Sequence, residues 1–470
     1  MGTGLRQYGE RGRHALTIRN AVIVGLADGE VRPNMSVHVH DGRIAAIERD
    51  RGATGYRGAT EDSEATGHSE ASAGADENEI LDACGAYLIP GFVNMHAHTA
   101  MAPLRGTAED LRPEAWFNER IWIYEQNLTA DDVYWGTMLG ALEMLSNGVT
   151  AVADHYFHMD RAFSAFQYAG MRANLAQAVF GFGDEKDALL DRAVAFARDY
   201  RDADDRISVS MGPHSPYLCP DDFLKDVVSR AHSLEVPVHI HVSETATQVA
   251  QSVEEHGRTP VEVLYNAGVL DGPAILAHAY HGTDADFERI AHSGAAVAHC
   301  PKTYMRFGDA VDFLPRALEA QVDVSLASDG AASNSTMDLF EAGRHAALLA
   351  KTAAGNAEVA TVNEVLPLLT AGGRMLGLPE YGEIREGAPA DMVLVNPSTP
   401  SMTPGYSPCA DLLYSVSREN IDTVIVNGEV VVEDGRHVRV DEEEVFARNR
   451  ELVARVARRN SDRPMQTFRG

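Results

Sequence analysis

Lysine is almost missing from this chain. It stands only at Lys186, Lys225, Lys302 and Lys351, so the 40 basic residues are nearly all arginine, set against 69 Asp and Glu. The formal net charge of −29 argues against the basic face that nucleic acid or an anionic membrane requires, and neither is expected as a partner. An acidic, lysine-poor surface suits a salt-rich, halophilic cytoplasm, where carboxylates stay hydrated and their mutual repulsion is screened. Cysteine is also scarce. Cys84, Cys219, Cys300 and Cys409 form no C-x-x-C pair, which excludes a disulfide framework and a cysteine zinc site and leaves free thiols. No apolar run approaches membrane-spanning length, and Arg19 splits the apolar stretch near the start; a cytoplasmic location without a signal peptide is the expectation.

What is present falls into β-rich ends around a long alternating middle. HALTIRNAVIVG and MSVHVHDGRIAAIE near the start, and ADMVLVNP and IDTVIVNGEVVVEDG near the finish, read as strands with turn residues between them. They predict one small β-sandwich built from residues 1–88 and 381–470, the latter with a terminal helix. Residues 56–79, rich in Gly, Ala, Ser and Glu, read as a mobile acidic loop. In the middle, FVNMHAH, GVTAVADHY, RANLAQA, ISVSMGPH, VPVHIHVSE, PAILAHA, AAVAHCP and VDVSLASDG alternate with helical stretches. One of these helices opens on Pro220, Asp221 and Asp222, residues that favour a helix N-terminus. Strand–helix units repeated in this number predict an α/β fold, a (β/α)8 TIM barrel over residues 89–380, with its chemistry at the C-terminal strand ends. A doubly wound sheet is the alternative, but no G-x-G-x-x-G follows the first strand to support a dinucleotide site.

Those strand ends carry the chemistry. In PGFVNMHAH, His96 and His98 lie two apart on a strand and so share a face. In VPVHIHVSE, His239 and His241 face inward with Glu244 just beyond; His278 closes PAILAHA, and Asp329 closes VDVSLASDG. His96, His98, His241 and Asp329 would bind one divalent ion, which lowers the pKa of water to about 7. Glu244 is placed to shuttle a proton, and His278 to hold the nucleophile or polarise a tetrahedral centre. Single inward residues have plainer readings: His239 and His299 as satisfied core groups, Asp323 as structural, Asp154 and His155 as pocket lining. His214, closing the fourth strand, reads equally as a substrate contact or a turn-stabilising group. A metal- and ligand-binding barrel without turnover is the non-enzymatic alternative, opposed by the filled catalytic positions. The H-x-E and P-C-x-x-C ligand set of cytidine-deaminase-type zinc enzymes is absent.

Taken in order, PGFVNMHAH, LRGTAEDL, Trp116 to Glu125, GPHSPYLC, HVSE, HAYH and SDGAASN resemble the amidohydrolase superfamily. Within it they resemble the methylthioadenosine/S-adenosylhomocysteine deaminase group, close to the triazine and ammeline hydrolases. The resemblance implies a metal, zinc or else iron, manganese or cobalt, on His96, His98, His241 and Asp329. It implies catalytic roles for Glu244, His278 and Asp329, and contacts from Trp116, Glu125, His214 and Glu244 to a small heterocyclic substrate, Glu125 holding ribose hydroxyls. The reaction implied is hydrolytic deamination of an amino-substituted ring, with release of ammonia; a homo-oligomer is compatible with it. The chain departs from the group at Gln177, where members accepting S-adenosylhomocysteine commonly carry arginine, and in CPKTYMRFG, where the group often reads S-N-x-K. Those departures motivate the alternative of another ring: triazine, pterin, guanine or cytosine-type, with deamination or dechlorination.

Overall fold

The computed structural model describes residues 15–50, 79–378 and 380–459. The expected acidic loop therefore lies outside the described residues except for Glu79, which opens a short strand, Glu79–Asp82. Eight parallel strands form the central sheet, each hydrogen-bonded to its neighbours in chain order. They are β1 (Phe92–Ala97), β2 (Val149–Tyr156), β3 (Arg172–Val179), β4 (Ile207–Pro213), β5 (Val238–Val242), β6 (Ala274–His278), β7 (Ala295–His299) and β8 (Val324–Leu326). Seven fall within the segments expected from sequence, and β3 runs one residue past its segment, to Val179.

The ladder runs from β1 to β8, and the sheet closes into a barrel by other means. The Asn94 side chain donates to Ser328 Oγ (2.7 Å) and accepts from the Ser328 N–H (2.9 Å), and the Asp329 N–H donates to the His96 carbonyl (3.0 Å). Two of the expected metal ligands are thus also the seam of the barrel. Close approach of strands is visible at Gly212 in β4, where a Cβ would stand 2.6 Å from the Gln177 carbonyl of β3; only glycine fits there.

The connecting helices start where their caps dictate. Thr129 and Asp132 form a capping box for Ala130–Ser146, Thr245 and Gln248 another for Ala246–His256, and Asp221 and Asp222 stand in the first turn of Asp221–Leu234. The cap at Thr245 matters for the site, because it fixes the chain directly after Glu244.

Both chain ends meet in a second sheet of nine strands. Tyr87–Pro90 pairs antiparallel with Met392–Val395, joining the N-terminal strands Leu16–Val24, Val31–His40 and Arg43–Arg49 to the C-terminal Ile421–Val426 and Glu429–Glu433. The sheet curls back on itself, the Ile44 N–H reaching the Ala388 carbonyl (2.9 Å) and the Ala390 N–H the Gly42 carbonyl (2.8 Å). Its central strands are buried on both faces with a period of two. Ile89, Val393, Val395, Val424 and Val426 pack with the barrel, while Leu88, Met392, Leu394 and Ile425 face a separate core with Ile18, Val37 and Ile44. Each fully buried aliphatic side chain contributes about 1.5–3 kcal/mol, so this alternation glues the small domain to the barrel. The expected terminal helix is Glu442–Arg459, with Glu442, Glu443 and Glu444 in its first turn and Arg458 and Arg459 in its last, matching its dipole. No described helix is long and apolar enough to cross a membrane.

Candidate active site and metal centre

His96, His98 and His241 converge at the C-terminal rim, and one ring nitrogen from each lies within 4.8 Å of the others. Their orientation is set by what the opposite nitrogen touches. His98 Nδ1 donates to the His155 carbonyl (2.6 Å), and His241 Nδ1 to the His214 carbonyl (2.8 Å). His96 Nδ1 faces His239 Nε2 at 2.8 Å. Each Nε2 is thereby turned to the centre, where His98 and His241 approach to 3.2 Å. Asp329 Oδ1 stands 3.7 Å from His96 Nε2 and 3.5 Å from His98 Nε2. Its Oδ2 is occupied by the hydroxyls of Thr303 (3.0 Å) and Ser333 (2.8 Å).

Burial, reinforced by the neighbouring imidazoles, holds His96 and His241 well below the ordinary histidine range. Both rings are neutral and have a lone pair to offer. His96 Nε2 is buried without a hydrogen-bond partner, a costly state for a polar atom in a core. Three imidazole nitrogens and one carboxylate oxygen form the donor set of a divalent cation such as zinc, with ring orientation fixed from behind. The residues present therefore fit a metal.

Glu244 and His278 flank this centre, Glu244 Oε1 lying 4.0 Å from His278 Nε2. Burial raises the Glu244 pKa and the Asp329 charge adds to it, with His278 opposing. The backbone at this rim is strained: Ser243, His278, Ala279 and Asp329 all adopt positive φ, between 46° and 78°. Non-glycine residues are held in that region by surrounding structure, and such residues cluster at functional sites. For Asp329 the strain also has a local cause. β8 ends at Leu326, so the left-handed turn, not strand alternation, aims its carboxylate inward.

A cleft opens over these groups, walled by Trp116, Phe117, Trp122, Phe180, His214 and Tyr217. Glu125 lies in the wall and accepts a hydrogen bond from the Tyr156 hydroxyl (2.6 Å). Burial lifts its pKa to about 7, against the opposing effects of Tyr156 and His98. Trp116 and Glu125 reach the cleft from a helical insertion after β1, which includes a π turn at Phe117–Ile121, a feature frequent at functional sites. His214 holds His241 through its carbonyl, and its ring stacks on Phe180 in the cleft wall with centroids 5.1 Å apart. Gln177 does not line the cleft; it accepts from the Met159 N–H (3.2 Å).

Asp154 is buried and holds Thr99 through its N–H (2.8 Å) and hydroxyl (3.0 Å), so it secures the chain after His98 and does not line the cleft. His155 does line it. His239 backs His96, and His299 is core, stacked on Phe313 at 4.8 Å. Sequence reasoning missed the hydroxyl residues Tyr156, Tyr217, Thr303, Tyr304 and Ser333. Thr303, Tyr304 and Ser333 follow within a few positions of β7 and Asp329, where loop hydroxyls can reach the site.

The Amidohydrolase family model matches residues 87–431. A 5-methylthioadenosine/S-adenosylhomocysteine deaminase of Desulforudis audaxviator (strain MP104C) is 38% identical over 443 residues, covering 94% of this chain and 98% of its own. One of the same name from Dictyoglomus thermophilum is 36% identical over 369 residues, covering 78% and 87%. Among solved structures, an adenosine deaminase from Xanthomonas campestris with bound zinc superposes with a TM-score of 0.84 at 29% identity, covering 94% of this chain and 98% of that one. Atrazine chlorohydrolase from Arthrobacter aurescens TC1, complexed with zinc, shares the fold with a TM-score of 0.81 at 21% identity, covering 93% and 100%. With a family match over most of its length and relatives aligned nearly end to end, the chain belongs to the amidohydrolase family.

Proposed function

We propose that the protein is a divalent-metal-dependent deaminase that hydrolyses an adenosine-type thioether nucleoside, of the 5'-methylthioadenosine/S-adenosylhomocysteine class, and releases ammonia. The observation that carries this reading is the convergence of three imidazole Nε2 atoms and Asp329 Oδ1 beside Glu244, at the floor of a cleft walled by aromatic rings. The names of the relatives supply the substrate class.

In this reading His96, His98, His241 and Asp329 hold the ion, zinc first, with iron, manganese or cobalt open to the same donor set. When bound, such a cation supplies the Lewis acidity that makes water nucleophilic near neutral pH. Glu244 takes a proton from the attacking water and delivers it to a ring nitrogen; the remaining hydroxyl proton passes through Glu244 to the departing amino group, so that the amidine carbon gains a carbonyl oxygen and ammonia leaves. Asp329 serves as ligand and catalytic group together, its Oδ1, which also accepts from the Gly330 N–H (2.7 Å), kept toward the reacting centre by the hydroxyls on Oδ2. Trp116 and His214 contact the base, and Glu125 accepts hydrogen bonds from ribose hydroxyls.

The tail of the substrate follows from charge. Neither arginine nor lysine lines the cleft among the described residues, and a buried carboxylate without a partner is costly. A methylthio group fits this wall better than an amino-acid tail. A second reading keeps the metal site and changes the ring to a triazine, pterin, guanine or cytosine type. It is motivated by the lack of arginine at Gln177, whose side chain accepts from the Met159 N–H outside the cleft, and by the 300–308 segment.

This proposal includes a barrel of residues 89–380 flanked by the two parts of the end domain, and a cytoplasmic, salt-adapted setting supported by four free cysteines and the acid excess. Ammonia release by zinc-loaded protein in molar potassium chloride tests it, across methylthioadenosine, S-adenosylhomocysteine, adenosine, guanine, cytosine and a triazine. Turnover of the thioether nucleosides is expected; turnover of another ring alone moves the assignment to the second reading.

A further inference from the structure

We infer that Tyr304 is a positioning residue: it fixes His278 in the tautomer that carries its proton on Nε2, making His278 a hydrogen-bond donor toward the reacting centre and leaving Glu244 as the proton acceptor of the pair. Tyr304 lies in the short helix Pro301–Arg306 after β7 and is 2% exposed. Its ring stacks on Tyr280, with centroids 3.7 Å apart and planes within 10°, so the position of its hydroxyl is set by packing. Two groups reach that hydroxyl among the described residues, the Cys300 N–H at 3.2 Å and His278 Nδ1 at 3.3 Å.

A tyrosine hydroxyl has one hydrogen to give, and a backbone N–H can only donate. With Cys300 donating to the oxygen, the hydroxyl hydrogen has His278 Nδ1 as its acceptor. A proton on Nδ1 would give the oxygen two donors and leave its own hydrogen buried without a partner, which carries the full desolvation penalty. Nδ1 therefore holds a lone pair, and the ring proton is on Nε2, 4.0 Å from Glu244 Oε1.

The neighbouring imidazoles are set the opposite way by the same rule. His98 and His241 place Nδ1 on carbonyl oxygens, which can only accept; their Nδ1 atoms carry protons and their Nε2 atoms lone pairs. One rim thus holds two kinds of histidine, electron-pair donors and a proton donor, distinguished by whether the atom behind the ring accepts or donates. Applied to the deamination proposed above, on which this step alone rests, His278 stabilises charge growing on the incoming oxygen and has no vacant Nε2 to take a proton.

The test is a long-range 1H–15N correlation spectrum of the full-length protein labelled at histidine, with His278 assigned by its disappearance in His278→Gln. A lone-pair shift at Nδ1 and a protonated shift at Nε2 are expected. In Tyr304→Phe, which keeps the ring stacked on Tyr280, both shifts should move toward the average of the two tautomers, and kcat should fall about tenfold with KM unchanged. A proton on His278 Nδ1 in the parent protein overturns the inference, as do unchanged His278 shifts in the variant. Should Tyr304→Phe fail to fold, the parent spectrum alone decides. Absence of any deamination counts against the proposed function and leaves the tautomer reading to stand or fall by the spectrum.

Discussion

At the start of β3 the Arg172 guanidinium is buried against Asp391, its Nε donating to both carboxylate oxygens (3.0 and 3.1 Å) and a terminal nitrogen to Asn427 Oδ1 (2.8 Å). At the opposite end of the barrel, His96 Nε2 and Asp154 Oδ2 are buried with no partner, and Ser243, His278 and Asp329 hold strained backbones. Both regions bury polar groups, but one satisfies them and ties the end domain to the barrel, while the other leaves them open. The difference teaches where selection for stability stops: the N-terminal end is built to hold, and the C-terminal rim keeps unsatisfied groups because satisfying them internally would remove what they can do.

The comparison can be broken from either side. Glu244→Gln should act on the rim alone, lowering kcat by about 10^3-fold while metal content and melting temperature stay at parent values; undiminished ammonia release would remove Glu244 from the chemistry. Arg172→Met should act on the other end alone. Leaving Asp391 buried and unpaired costs about 3 kcal/mol of unfolding free energy, read by denaturant titration, with kcat per folded molecule unchanged. Smaller in effect, the ratio of kcat/KM for methylthioadenosine over S-adenosylhomocysteine should be at least about tenfold, the charged tail meeting no cation; a ratio of one or below would contradict the charge argument. Last comes Glu125, whose folded-state pKa near 7 lies above that of an ordinary carboxyl. A raised carboxyl binds its proton more tightly when folded, so its stabilising effect is complete below about pH 4.5 and is lost as pH rises through 7. Glu125→Gln should flatten that window and gain roughly 1 kcal/mol at pH 8, a small value because the side chain is partly open to the cleft.

The eight strands were legible because each is an apolar run bounded by turn or cap residues, and the histidine pairs because alternation puts 96 with 98 and 239 with 241 on shared faces. The union of the two chain ends was legible for the same reason. Trp116 and Glu125 were visible only through resemblance, since their insertion has no periodicity that points to a cleft. Thr303, Tyr304 and Ser333 were not visible at all. Their hydroxyls matter through one or two hydrogen bonds each, which depend on where two loops pass and leave no periodic pattern in the sequence. Asp329 does stand beside the histidines, but the strand alternation that pointed to it is not what aims it there: its direction comes from a left-handed turn beyond the end of β8.

The seam between Asn94, His96, Ser328 and Asp329 has a consequence in time. During synthesis His96 emerges more than two hundred residues before Asp329, and until the later segment arrives the cluster of His96, His98, His241 and Asp329 does not exist. Ring closure and completion of the cluster are one event, so the site works as a receipt for finished folding: a chain stalled or cut before its eighth strand presents only loose histidines.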